Sequence, residues 1–202
     1  IFSLSHRSKK FSEIYADASE NLRKLLAIPS THHIFFTSCA LEGMERTIQN
    51  TVHKKSFHFV NGSFSKRFFI IAQELRKQPQ ELEVDFGKGF DFRQANIPQS
   101  AELVCLTHNE TSTGVMTPAE EMYELRKQHP DTLFTLDIVS SAPYAHIDVS
   151  QFDSVFFSVQ KGFGLPAGLG VIILSPRAME KAIDLHEKGI NIGSYHNFPI
   201  LQ

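Results

Sequence analysis

The sequence predicts an α/β fold: a mostly parallel seven-stranded sheet with helices on both faces, in a three-layer α/β/α arrangement. Three observations predict it. Short apolar runs alternate with longer stretches of helical spacing along most of the chain, the pattern of a parallel sheet wrapped by helices. Two of the runs lead into groups able to bind a ligand. Asp137 closes Thr132-Leu-Phe-Thr-Leu-Asp137, and Lys161 follows Ser154-Val-Phe-Phe-Ser158 in a glycine-rich loop; such folds bind ligands at the carboxyl ends of strands. Finally, 202 residues with 42% hydrophobic content fit one well-packed domain rather than two.

The elements follow in order. From Ser8 to Leu26, Phe11, Ile14, Tyr15, Ala18, Leu22, Leu25 and Leu26 recur at helical spacing, and Pro29 stops the helix. His33 to Phe36 is a short strand, and a helix runs from Leu41 to Val52. Lys55 to Val60 is a strand, Asn61-Gly62 a turn, and Ser63 is placed as the cap of a helix to about Leu75. Leu82 to Val84 is a weak strand, residues 87–100 are loop with room for a helical turn, and Glu102 to Leu106 is a strand. Pro118 is placed as the first residue of a helix reaching His129. Leu133 to Leu136, Ser154 to Phe157 and Val171 to Leu174 complete the strands. Pro176 opens a last helix, to about Lys188, and Gly189 ends it.

Composition narrows the function. A net charge of −2 gives no electrostatic case for nucleic acid or an anionic membrane. No stretch of about 20 apolar residues is present, so no membrane span is expected. The two cysteines, Cys39 and Cys105, make no disulfide framework, and free thiols suit the cytoplasm. The histidines show no metal-ligand spacing, so no metal is expected. Neither end carries a start, signal or capping feature, so the chain reads as cut at both ends.

A lysine on a turn is ordinarily a solvated surface charge. One that bonds a carbonyl cofactor must sit partly desolvated, so that its amine can be neutral at working pH. Glycines around it let backbone approach a bulky group closely. Pyridoxal 5'-phosphate needs a lysine for its aldehyde and a carboxylate for its pyridine nitrogen. Lys161 and Asp137 supply both on two successive strands. A strand-to-helix junction at Thr37-Ser-Cys-Ala-Leu41 offers helix amides to an anion.

At these residues the chain resembles the class V, fold-type I aminotransferases, most closely the phosphoserine aminotransferase branch. The motifs are Leu136-Asp-Ile-Val-Ser-Ser141, Val159-Gln-Lys161 with its glycines, Thr107-His-Asn-Glu-Thr-Ser-Thr-Gly114 and Leu4-Ser-His-Arg-Ser8. The resemblance covers Ser5 to Pro199 and implies the large, cofactor-binding domain (residues 1–202) of a longer chain whose C-terminal small domain is absent. It implies catalytic roles for Lys161 and Asp137. It places the cofactor phosphate on Ala40 and Leu41, with Gln160 as a further phosphate contact through its amide. The branch usually has a glycine pair where Ser38 and Cys39 stand.

The resemblance further stacks Phe64 on the pyridine face and sets Thr111 near the ring hydroxyl. It assigns Arg7 to the anionic end of the substrate, with His6 beside it. Gly193-Ser-Tyr-His-Asn197-Phe-Pro199 resembles the segment that crosses a homodimer interface to the neighbour's phosphate through Asn197 and Phe198, the latter by its backbone amide. The implied reaction is transamination between an amino acid and a 2-oxo acid, 3-phosphoserine and 2-oxoglutarate, in serine biosynthesis. An alanine–glyoxylate or serine–pyruvate type and a non-catalytic homologue of the fold remain open at this stage.

Overall fold

The computed structural model describes residues 4–202. Ile1 to Ser3, on which the reading of a cut N-terminus partly rests, lie outside the described residues. The strands are β1 (His33–Thr37), β2 (Ser56–Val60), β3 (Gln80–Glu83), β4 (Leu103–Thr107), β5 (Asn109–Glu110), β6 (Val115–Met116), β7 (Leu133–Asp137), β8 (Ser154–Ser158) and β9 (Gly170–Leu174). The helices are α1 (Lys9–Leu25), α2 (Ala40–Thr51), α3 (Ser63–Glu74), α4 (Ala119–Gln128), α5 (Pro176–Glu187) and α6 (Phe198–Leu201).

The main sheet has seven strands in the order β1-β9-β8-β7-β4-β2-β3. Pairing is parallel from β8 through β7, β4 and β2 to β3. It is antiparallel at the other side, where β9 lies between β8 and β1. The predicted seven-stranded, mostly parallel sheet is therefore the one observed. Among the described residues, a 3-10 turn at Val149–Gln151, a hairpin and a short helix escaped the sequence reading. The β5–β6 hairpin is only two residues per strand, and α6 only four residues, both too short for a periodic signal.

Strand alternation sorts the core into two layers. Met44, Ile48, Phe68, Ile71, Ala178 and Met179 from α2, α3 and α5 pack on one face, against Phe35, Cys105, Phe156 and Ile172. Met122 and Leu125 of α4, with Leu22 of α1, pack on the other, against Val104, Phe134, Leu136, Val155 and Phe157. Fully burying one of the larger of these side chains, a Val, Leu, Ile, Phe or Met, stabilises the fold by about 1.5–3 kcal/mol. The apolar stripe predicted for α1 is only partly covered. Tyr15 donates to the Ile34 carbonyl at 3.1 Å and meets Phe36 edge-on, yet Phe11, Ile14, Tyr15 and Leu25 stay exposed.

Capping corrects two placements. Gly62, not Ser63, is the residue before α3, and Pro118 precedes α4 rather than starting it. Ser8 caps α1 by accepting from the Phe11 amide at 3.2 Å, as an N-cap serine should.

Candidate active site

β4, β7 and β8 end side by side, with the N-termini of α2 and α3 above them. A cavity of about 440 Å³ opens there, lined by Ala40, Leu41, Phe64, Thr111, Asp137, Gln160 and Lys161 among others. Five separate chain segments thus deliver candidates that the sequence could only name one by one.

Asp137 is the last residue of β7 and is 4% exposed. Its Oδ1 accepts from the Val139 amide at 2.8 Å. Burial pushes its carboxyl up to about 7, against the lowering effect of that amide and with a smaller push from the Glu110 charge. Thr107 stands opposite it in register on β4, and the Thr107 hydroxyl, buried beside the same cavity, has no partner among the described residues. A buried carboxylate held by a single amide favours a cationic or donor group at its other oxygen.

Lys161 leaves β8 in a loop pinned at both sides. The Val159 amide donates to the Leu169 carbonyl at 3.1 Å, and Gly164 to the Lys161 carbonyl at 3.0 Å. Phe163 stacks on Phe157 at 4.9 Å. A Cβ on Gly162 would lie 2.3 Å from the Ala142 carbonyl oxygen, so only glycine lets this loop rest on the loop after Asp137. Lys161 itself is exposed. The partial desolvation that its proposed chemistry demands is not supplied by the described residues.

At α2, the Ala40 amide donates to Ser158 Oγ at 2.7 Å, so β8 fixes the helix start. Leu41 and Glu42 follow in the first turn, where a helix has no acceptor of its own for its amides. Glu42 Oε2 accepts from both the amide and hydroxyl of Ser38 at 2.7 Å, and Oε1 pairs with His196 Nδ1 at 2.6 Å. Burial pushes the Glu42 carboxyl up, but the bonds from Ser38 and His196 together outweigh it and hold it below the usual range.

Phe64 is the second residue of α3 and is 46% exposed, so it is not the core phenylalanine that a lone Phe usually is. Asn109 donates through Nδ2 to Ser140 Oγ at 3.0 Å, and that hydroxyl donates to the Asn109 carbonyl at 2.9 Å. This ties the Thr111 loop to the Asp137 loop. His108 is buried beneath, and burial lowers its imidazole.

Glu110 carries no role in the sequence reading, yet it is fully buried. Its carboxylate collects donors from both α3 and its own loop. A glycine before a helix, with no side chain to cap it, is the signal that another segment must do so.

The remaining candidates lie elsewhere. His6 and Arg7 are exposed in the turn ahead of α1, where Ser5 accepts from the Arg7 amide and from Ser8; neither lines the cavity. Asn197 is buried, donates through Nδ2 to the Gly193 carbonyl at 2.8 Å and accepts at Oδ1 from Ile200 at 3.0 Å. Phe198 is buried in the core, and its amide donates to Asn50 Oδ1 at 2.9 Å.

The model of the family described as aminotransferase class-V matches residues 2–195. The chain belongs to that family. Within class V, it is similar to a phosphoserine aminotransferase from Cytophaga hutchinsonii whose solved structure superposes with a TM-score of 0.96. The two are 52% identical, over 98% of this chain and 55% of that one. A phosphoserine aminotransferase of Rhodococcus opacus is 25% identical over 99% of this chain and 52% of its own length. An alanine–glyoxylate aminotransferase of Nostoc shares the fold, with a TM-score of 0.79 at 23% identity over 95% of this chain and 55% of that one. The chain spans about half the length of the curated relatives it matches.

Proposed function

We propose that this chain is the cofactor-binding large domain of a pyridoxal-phosphate-dependent aminotransferase acting on 3-phosphoserine and 2-oxoglutarate. The observation that carries the reading is the buried Asp137 carboxylate, bonded to the Val139 amide and sharing a cavity with Lys161 and Phe64. A protonated pyridine nitrogen is the partner that such a carboxylate lacks. The 52% identity to a phosphoserine aminotransferase supports the substrate.

When bound, the cofactor would supply an electron sink for a carbanion at the substrate α-carbon. The chain's residues would do the rest. Asp137 would keep the ring nitrogen protonated, and Phe64 would fix the ring plane through its exposed face. Thr111 would meet the ring hydroxyl. Gln160 and the first-turn amides at Ala40 and Leu41 would hold the phosphate, Leu41 more freely because the Ala40 amide already serves Ser158. Lys161 would bond the cofactor and, once released, take the proton from the substrate α-carbon through Nζ.

The reading extends to a cytoplasmic homodimer and a role in serine biosynthesis. His6 and Arg7, outside the cavity of their own chain, would meet the anionic end of a substrate held by the neighbouring subunit. Asn197 and the Phe198 amide would first have to exchange their bonds to Gly193, Ile200 and Asn50. Tyr195 and Ile200, each 69% exposed, are available to a neighbour without rearrangement.

The test is the visible absorbance spectrum of the full-length protein with pyridoxal phosphate, before and after phosphoserine. A yellow band that shifts on adding phosphoserine supports the reading. A yellow band indifferent to phosphoserine removes the substrate assignment, and a protein that stays colourless removes the cofactor. Lys161→Ala should abolish turnover; normal transamination by that variant would refute the role of the lysine.

A further inference from the structure

We propose that Glu110 is a positioning residue of the cleft, a carboxylate that caps α3 from another segment and so fixes Phe64 against the loop carrying Thr111. The proposal rests on the cofactor reading above.

The sequence places Glu110 between Asn109 and Thr111 in what reads as a polar turn. The structure turns its side chain fully inward. Oε2 accepts from the Phe64 amide at 3.1 Å, the Ser65 amide at 2.8 Å and Ser65 Oγ at 2.9 Å. Oε1 accepts from the Ser112 amide at 3.2 Å and Ser112 Oγ at 2.6 Å. Ser112 Oγ in turn accepts from the Ser63 amide at 2.8 Å. The first three amides of α3 therefore end on Glu110 or on the hydroxyl that it orients.

A negative charge at a helix N-terminus also complements the helix dipole. Ordinarily the residue before the helix does this work, but here it is Gly62. A Cβ on Gly62 would lie 2.4 Å from Glu110 Cγ, so the glycine makes room for a cap from 48 positions along the chain. Burial pushes the Glu110 carboxyl up, but its hydrogen bonds from Ser112 and Ser65 together outweigh it and keep it below the usual range. It is thus a charged cap buried at 0% exposure, and charged caps of this kind form the strong class of hydrogen bond.

The consequence is geometric. Phe64 and Thr111 both line the cavity, yet they belong to different segments. Glu110 is bonded to the backbone of Phe64 and is the chain neighbour of Thr111. Among the described residues, its carboxylate bonds only the start of α3 and Ser112, and no strand of the main sheet. Neutralising Glu110 should therefore disturb the ring clamp before it disturbs the fold.

The experiment uses the full-length protein, with Glu110→Gln as the main variant. In cofactor-free protein, amide hydrogen exchange at Phe64 and Ser65 should rise about tenfold in Glu110→Gln while the central strands keep their protection. The dissociation constant for pyridoxal phosphate, read by absorbance titration, should rise about tenfold. The circular dichroism of the bound cofactor's visible band should shrink. Adding Phe64→Ala to Glu110→Gln should weaken binding less than Phe64→Ala does alone, since the two act through one ring contact.

A variant that melts earlier but binds the cofactor with unchanged affinity and an unchanged band would overturn the proposal, leaving a cap with a purely structural role. Wild-type protein that binds no pyridoxal phosphate would overturn the cofactor reading and the proposal with it. If Glu110→Gln does not fold, Ser112→Ala, which removes the hydroxyl bonded to Glu110 and Ser63, permits the same comparison with the same deciding outcomes.

Discussion

Asp137 shows what a single buried group does to the whole molecule. Its folded carboxyl is raised from 3.8 to about 7. Between those values the folded chain holds a proton that the unfolded chain has released, so this residue's contribution to stability falls as pH rises from about 4 to about 7 and stays low above. In cofactor-free protein, Asp137→Asn removes that penalty and can still accept from the Val139 amide. The variant should melt at a higher temperature than wild type, with a larger gain at pH 8 than at pH 5, up to roughly a few kcal/mol. Thermal melts at the two pH values decide it, and an equal or absent gain would contradict the raised carboxyl. The same substitution should remove activity, because an amide cannot keep a pyridine nitrogen protonated. Asp137 and Lys161 could be singled out in the sequence because the proposed cofactor chemistry calls for both groups. Glu110 was not, because a carboxylate in a polar turn gives no sign of folding inward.

At the scale of elements, the loop after β8 is held by close contact rather than by a regular ladder. Gly162 rests against Ala142 and Pro143 of the loop that follows Asp137. A methyl at this position cannot fit unless one loop moves. Gly162→Ala should therefore displace Lys161 and reduce kcat by about a hundredfold, since a shift near 1 Å is enough for that. The fold should survive, because the strands of the core are untouched. Steady-state kinetics with far-UV circular dichroism would check this, and full activity in the variant would show that the loop contact does not set the lysine. α2 makes a second coupling. Its first turn faces the cavity, while Glu42, Arg46 and Asn50 along one face bond His196, the Tyr195 carbonyl and the Phe198 amide. The sequence showed the helix and the 193–199 segment separately. Their contact spans some 150 residues and has no local signal.

For the whole molecule, acid is the expected route to unfolding. His58 is buried with Nε2 bonded to Ser56 Oγ at 2.9 Å and Nδ1 without a partner among the described residues. Burial lowers its imidazole from 6.5 to about 3. Below pH 6.5 the unfolded chain takes up a proton there that the folded chain refuses, so stability falls as pH drops, by up to roughly 1.4 kcal/mol per pH unit from this group. Glu42, Glu102 and Glu110 are all held below the usual carboxylate range, after burial, by hydrogen bonds. Their contribution is present above about pH 4.5 and is lost as pH falls through their folded values. Asp137 opposes these trends between about 7 and 4. His58→Leu should flatten the loss between pH 6.5 and 5, and thermal melts across that interval would reveal it; an unchanged slope would assign the acid sensitivity elsewhere.

By itself, the sequence determined the α/β class, the seven strands and the pairing of a lysine with an aspartate at strand ends. Periodicity, punctuation by glycine and proline, and the requirements of the chemistry are all local or nearly local signals. Tertiary structure alone decided which candidates share a cavity. It brought Ala40, Leu41, Phe64, Thr111 and Gln160 to Asp137 and Lys161, and it left His6 and Arg7 exposed outside and Asn197 and Phe198 buried within their own chain. It also chose the caps, giving α3 a carboxylate from β5 in place of Ser63. The physical reason is that a buried polar group must find its partners wherever the folded chain brings them, and separation along the sequence carries no record of that choice.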